Sequence, residues 1–240
     1  MIARGLGLGG PGSNPILLIA LALLVISFLS GNIFGPLRSL ETDPNAFFGF
    51  VIAIVLGITV HEFMHAYTAH RLGDDTARLL GRMTLSPLAH FDIFGTLLLV
   101  LAGFGYGKPV PVNEARLRGA FASSLVSFAG PLSNFAIAAV CAIPLRLGTA
   151  EVLGPNYVEV LFYVVLFNIV LGIFNLIPIP PLDGANVVLG LLPPKQQWEL
   201  RPYLQYGPFL LLALLWFGSR LLGTIVFGPA QAITRALTGL

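Results

Sequence analysis

Five stretches of this chain are each apolar over close to the ~20 residues that a helix needs to cross a bilayer. They run over residues 16–34, 47–70, 119–145, 157–176 and 208–227. Few folds are open to such a pattern. Lipid offers the backbone no hydrogen bonds, so each stretch must satisfy its own peptide groups, as a helix does. Composition agrees, with 56% of the 240 residues hydrophobic and 10% charged, against about a quarter charged in a soluble domain. The expected fold is an all-α polytopic membrane protein, one domain over residues 1–240, with the lipid bilayer as its first partner.

A sixth apolar stretch, 95–107, is short for a helical span. The residues before it, Gly81-Arg-Met-Thr-Leu-Ser-Pro-Leu-Ala-His-Phe-Asp-Ile-Phe-Gly-Thr96, carry glycine, proline and a loose polar–apolar alternation. We expect residues 80–107 to form a re-entrant, partly β-stranded segment against the bundle, giving about five to six transmembrane helices in all. The first stretch reads as a transmembrane helix rather than a cleaved signal, because no small-residue cleavage site follows it. The tail after Pro229 reads as a short amphipathic helix.

Loop charges orient the chain. Arg71, Arg78, Arg82, Lys108, Arg116 and Arg118 lie between the second and third stretches, and Lys195 and Arg201 between the fourth and fifth. The opposite loops carry Arg38 and Arg146 beside Glu41, Asp43 and Glu151. The excess of positive charge marks the first set as cytoplasmic in a multi-pass protein of the plasma membrane. A net charge of +2 without a dense basic tract gives no sign of nucleic acid as a partner. Cys141 is the single cysteine, so it forms no intramolecular disulfide, and it reads as a buried thiol.

The chemistry concentrates in the second stretch. His61 and His65 are four residues apart, which on a helix puts both imidazoles on one face, one turn apart. Two such nitrogens can hold one zinc ion. Glu62, next to the first, is placed to take a proton from water and return one to a leaving amine. Titratable groups in an apolar span are expensive and mark function. Zinc needs a third protein ligand, with the fourth position left to water. Asp183 is the best candidate, since Pro178, Pro180 and Pro181 end any regular helix before it and let it turn inward. His70 and His90 compete. At 1.5 Å per residue, His61 and His65 lie roughly 8–14 Å inside the cytoplasmic end of their span.

Small and polar residues form stripes on three spans: Gly57, His61, His65 and Thr68; Gly119, Ser123, Ser127, Gly130 and Asn134; Asn168, Gly172 and Asn175. In membranes such stripes mark helix–helix contacts, which implies a three-helix core around the metal site. Buried amides such as Asn134 and Asn175 need partners.

Taken together, His61-Glu-x-x-His65, Ala129-Gly-Pro-Leu-Ser-Asn134 and Asn175-x-x-Pro-x-Pro-x-Leu-Asp-Gly184 resemble the site-2 protease family of intramembrane zinc metalloproteases. Gly107-Lys-Pro-Val-Pro-Val-Asn113 is similar to its small members. The likeness runs over about residues 47–184, the catalytic core. The resemblance implies one zinc per chain on His61, His65 and Asp183, Glu62 as catalytic acid/base, and substrate-binding roles for Asn175 and Asn134. It implies transmembrane proteins as substrates, cut within or near their membrane segments. No PDZ-like insertion or nucleotide-sensing pair is present in the sequence. Two other functions use the same residues: a membrane zinc-binding or zinc-transport protein without hydrolysis, and an inactive scaffold. Transport would need a second polar set toward the far face, and a scaffold would not need Glu62.

Overall fold

The computed structural model describes residues 35–93, 95, 96, 99 and 107–240. The first expected span, and most of the stretch 95–107, lie outside the described residues. We number the helices within them: α1 Gly35–Thr42, α2 Pro44–Arg71, α3 Thr76–Leu79, α4 Ala122–Arg146, α5 Pro155–Asn175, α6 Asp183–Leu191, α7 Pro194–Leu200, α8 Gly207–Phe217, α9 Ser219–Leu222 and α10 Gly228–Thr238.

Three of these, α2, α4 and α5, are long and apolar enough to cross a membrane, and each lies within a few residues of its expected stretch. Helix α2 starts where the sequence permits a cap. The Asp43 carboxylate accepts the Ala46 N–H at 2.9 Å, and Pro44 occupies the first turn, where an N–H would have no helical partner. The same carboxylate accepts the Tyr163 hydroxyl of α5 at 2.8 Å, fixing the two helices at that end.

The three long helices pack pairwise, and α6 packs on α4. Between lipid-embedded helices apolar burial gives little drive, so close approach of small residues carries the association. At Gly57 a Cβ would lie 2.8 Å from Asn168 Oδ1 and 3.1 Å from Asn134 Nδ2. A larger residue there would part α2 from both neighbours. Ala138, Ala142, Leu145, Val165 and Ile169 fill the α4–α5 interface below.

Three expectations change. The fifth stretch is not one straight span: α8 ends at Phe217, and the flanking segments, Pro194–Phe217 and Arg220–Thr238, meet at 88°. Gly218 lies at the break, a π-helical stretch follows over Gly223–Phe227, and Pro229 lacks the N–H a continuous helix needs. The segment expected to be partly stranded contains no strand among the described residues. It has a 3₁₀ turn over Pro87–Ala89 and one antiparallel bridge, Phe91 to Gly107. The polar stripe of α4 begins later than expected, because Gly119, at φ 111°, lies outside the helix and the half-buried Ser123 donates its hydroxyl to Glu114 Oε1 at 3.2 Å. The amphipathic tail is helix α10.

Candidate metal centre

Helix α2 carries His61 and His65 on the face turned to α4, and both are buried. Their rings stand edge to face, with centroids 4.6 Å apart. Gly130 of α4 makes this possible: a Cβ there would lie 2.6 Å from His61 Nε2 and 2.5 Å from His65 Nε2. The third member follows the end of α5. After Asn175 the prolines interrupt the helix, and Asp183 opens α6, where a carboxylate suits the positive end of the helix dipole. Its Oδ2 lies 2.9 Å from His61 Nε2 and 3.3 Å from His65 Nε2.

The hydrogen bonds determine what these atoms can do. Asn134 Nδ2 donates to Gly57 O and to Asn168 Oδ1, both at 3.2 Å, so its Oδ1 is the atom facing His61. His61 Nδ1 therefore donates to Asn134 Oδ1, at 2.7 Å, and its Nε2 carries a lone pair. His65 Nδ1 donates to the Val126 main-chain carbonyl at 2.7 Å, which leaves the same lone pair at its Nε2. Asp183 Oδ2 is buried without a hydrogen-bond donor. Two lone pairs and a carboxylate oxygen thus converge within 4.8 Å of one another. Such a set is unfavourable as it stands and suits a cation. Two imidazoles and one carboxylate match the donor set of zinc with a further position open.

Glu62 is half-buried on the adjoining face, and its Oε2 accepts the Val110 N–H at 3.0 Å. Asn175 is half-buried at the end of α5, with Nδ2 donating to Leu171 O at 3.0 Å. Asn134, expected at the substrate, is fully buried, and its carboxamide is hydrogen-bonded to His61, Gly57 and Asn168. His70 and His90 lie outside the group. His70 Nδ1 is 2.6 Å from Asp75 Oδ1, and the buried His90 Nε2 donates to Thr84 O at 2.7 Å. Sequence reasoning missed the Val126 carbonyl and the Val110 N–H. Both are backbone groups with no residue signature, although Pro109 and Pro111 leave Val110 the single donor between them.

The comparisons with known proteins bear on the same residues. A model of Peptidase family M50 matches residues 49–150 and 144–215. The chain is 37% identical over 199 residues to YwhC of Bacillus subtilis, provisionally named a zinc metalloprotease; the match covers 79% of this chain and 91% of that one. It is 31% identical over 211 residues to Rip2 of Mycobacterium tuberculosis (strain H37Rv), named in the same way, covering 84% and 79%. It is 28% identical over 178 residues to zinc metalloprotease MJ0392 of Methanocaldococcus jannaschii, covering 72% of this chain and 44% of that one. No solved structure matches the chain.

Proposed function

The chain belongs to peptidase family M50, the zinc metalloproteases of site-2 type, and from that premise we propose that it hydrolyses peptide bonds inside the membrane, in transmembrane segments of other proteins. The observation that carries this reading is the convergence of His61, His65 and Asp183 on one point within an apolar span. These three residues would hold the zinc. Zinc, when bound, supplies Lewis acidity toward water and toward a scissile carbonyl.

The chain's own residues do the rest. Asn134 and the Val126 carbonyl keep the imidazole protons at Nδ1. The Glu62 carboxylate takes a proton from the attacking water and delivers it to the nitrogen of the breaking C–N bond. A helical substrate must unwind locally to expose that bond, and Asn175, with one of its two amide N–H groups on Leu171 O, would offer its carbonyl oxygen to a main-chain N–H of the unwound strand. His65 and His61 lie six and ten residues from the end of α2, roughly 9 and 15 Å, so cleavage falls at that depth. The basic loops support a cytoplasmic position for that end, with the plasma membrane as the membrane it sits in. The working unit is one domain, with residues 47–184 as its core.

Glu62→Gln should keep about one zinc per chain and lose cleavage of a transmembrane substrate by two orders of magnitude or more, on the order of what a positioned acid–base group contributes. Metal analysis beside a cleavage assay reads both. Proteolysis retained by Glu62→Gln would remove Glu62 from the mechanism.

A further inference from the structure

Residues 108–113, Lys-Pro-Val-Pro-Val-Asn, belong to no helix or ladder, yet they are pinned along their length. The Lys108 N–H donates to His90 O at 2.7 Å, and Arg82 Nη2 donates to Lys108 O at 2.5 Å. In the middle, the Val110 N–H donates to Glu62 Oε2 at 3.0 Å. At the far end, the Asn113 N–H donates to Asp74 Oδ2 at 2.6 Å. Asp74 is fully buried. Its Oδ1 accepts the Thr76 N–H at 3.0 Å and the Thr76 hydroxyl at 2.5 Å, and its own N–H donates to Ala69 O of α2 at 2.9 Å. The helix that carries Glu62 therefore also carries the anchor of the segment that meets Glu62.

We infer that residues 108–113 are a positioning strap, in which the Val110 N–H fixes the Glu62 carboxylate for proton transfer and Asp74 fixes Val110. The inference rests on the reading of Glu62 as the acid/base. One N–H at Oε2 sets the plane of a carboxylate and leaves acceptor capacity for water. Pro109 and Pro111 restrict the backbone on both sides, so little freedom is lost in holding Val110 where it is. The buried Asp74 has no other task in the site. A carboxylate held this way reacts from a prepared geometry, and small misplacements of such groups lower the rate of the chemical step.

The test uses the full chain in detergent or nanodiscs and has two arms. Amide hydrogen exchange over residues 107–113 reads the strap without metal or turnover. Val110 should be protected in the wild type and lose at least about ten-fold of that protection in Glu62→Ala. In Asp74→Asn both Asn113 and Val110 should exchange faster. Equal Val110 exchange in wild type and Glu62→Ala would overturn the inference. Steady-state cleavage is the second arm. Asp74→Asn, and Val110→Pro, which deletes the donor between residues already restricted by proline, should lower kcat about ten-fold or more with KM and zinc content near wild type. Neither should lower the rate further in a Glu62→Gln background. A raised KM with unchanged kcat would make the strap a substrate contact and overturn its positioning role. Intact Val110 protection in a zinc-loaded wild type that cleaves nothing would instead count against the acid/base reading of Glu62.

Discussion

A neutral imidazole presents a lone pair at one nitrogen only when its proton is committed at the other. At His65 a main-chain carbonyl holds that proton, and no side-chain truncation removes it. At His61 the task falls to Asn134. Asn134→Ala should strand the His61 N–H in a buried place, cost about 1–3 kcal/mol, and weaken zinc binding on the order of 10–100-fold. Competition against a chelator of known affinity measures this, and unchanged zinc retention would detach Asn134 from the metal centre. Gly130 gives the steric counterpart. Alanine favours a helix over glycine, yet its methyl at Gly130 would press on both Nε2 atoms. Gly130→Ala should therefore keep its helical circular dichroism and bind less zinc than the wild type; full zinc occupancy would contradict it. At this scale the sequence is most legible where a residue is costly. His61, Glu62 and His65 stand out because titratable groups in an apolar stretch need a reason, and Asp183 because it is a carboxylate just past prolines that end a helix. Asn134 reads only as an amide in need of partners, and Val126 not at all, since its contribution is a carbonyl that every residue owns.

The end of α2 shows how an element passes stability to its neighbours. Asp74, just past Arg71, ties residue 113 back to the helix. Burial alone would raise the pKa of its carboxyl, but hydrogen bonds from Thr76 and from the Asn113 N–H outweigh it and hold the group below the ordinary carboxylate value. A depressed folded-state pKa gives stabilisation that is complete above the unfolded value, about 3.9, and is lost as the pH falls through the folded one. The melting temperature of the wild type should therefore drop on acidification below about pH 4. Asp74→Asn should start lower, by on the order of 1–2 kcal/mol for a weakened charge-assisted bond, and show a flatter acid limb. Parallel acid limbs in the two proteins would show that Asp74 does not carry this dependence. The long helices themselves are legible, because ~20 apolar residues have little alternative in lipid. The break at Gly218 is not, because one glycine costs a helix only about 1 kcal/mol, and only its surroundings decide whether the chain bends there. The strap is also hidden. Its prolines announce an extended segment, but Glu62 lies 48 residues away from Val110 in sequence.

Across the whole molecule, charge is distributed by end. Arg118 returns its N–H to Leu72 O at 2.8 Å, and Arg201 meets Glu114 at 3.1 Å. The loops after α2, before α4 and after α7 thus gather at the end nearer His65 and Asp183. At the other end Asn45 Nδ2 donates to Glu159 Oε2 at 2.8 Å, and the α4–α5 loop carries Glu151. The positive-inside rule turns this asymmetry into an orientation, and the single cysteine makes it testable. Cys141 lies half-buried in α4, so Cys141→Ser provides a thiol-free background at small cost. Two exposed positions mark the ends: Val152, 86% exposed between α4 and α5, and Trp198, 76% exposed in α7. In intact cells a membrane-impermeant thiol reagent should label Val152→Cys, and it should reach Trp198→Cys only after permeabilisation. Permeabilised samples labelling equally at both positions establish that each thiol is reactive, so a difference in intact cells reports side and not burial. Labelling of Trp198→Cys in intact cells would turn the molecule over, and with it the face from which water reaches Glu62 and a cleaved fragment leaves.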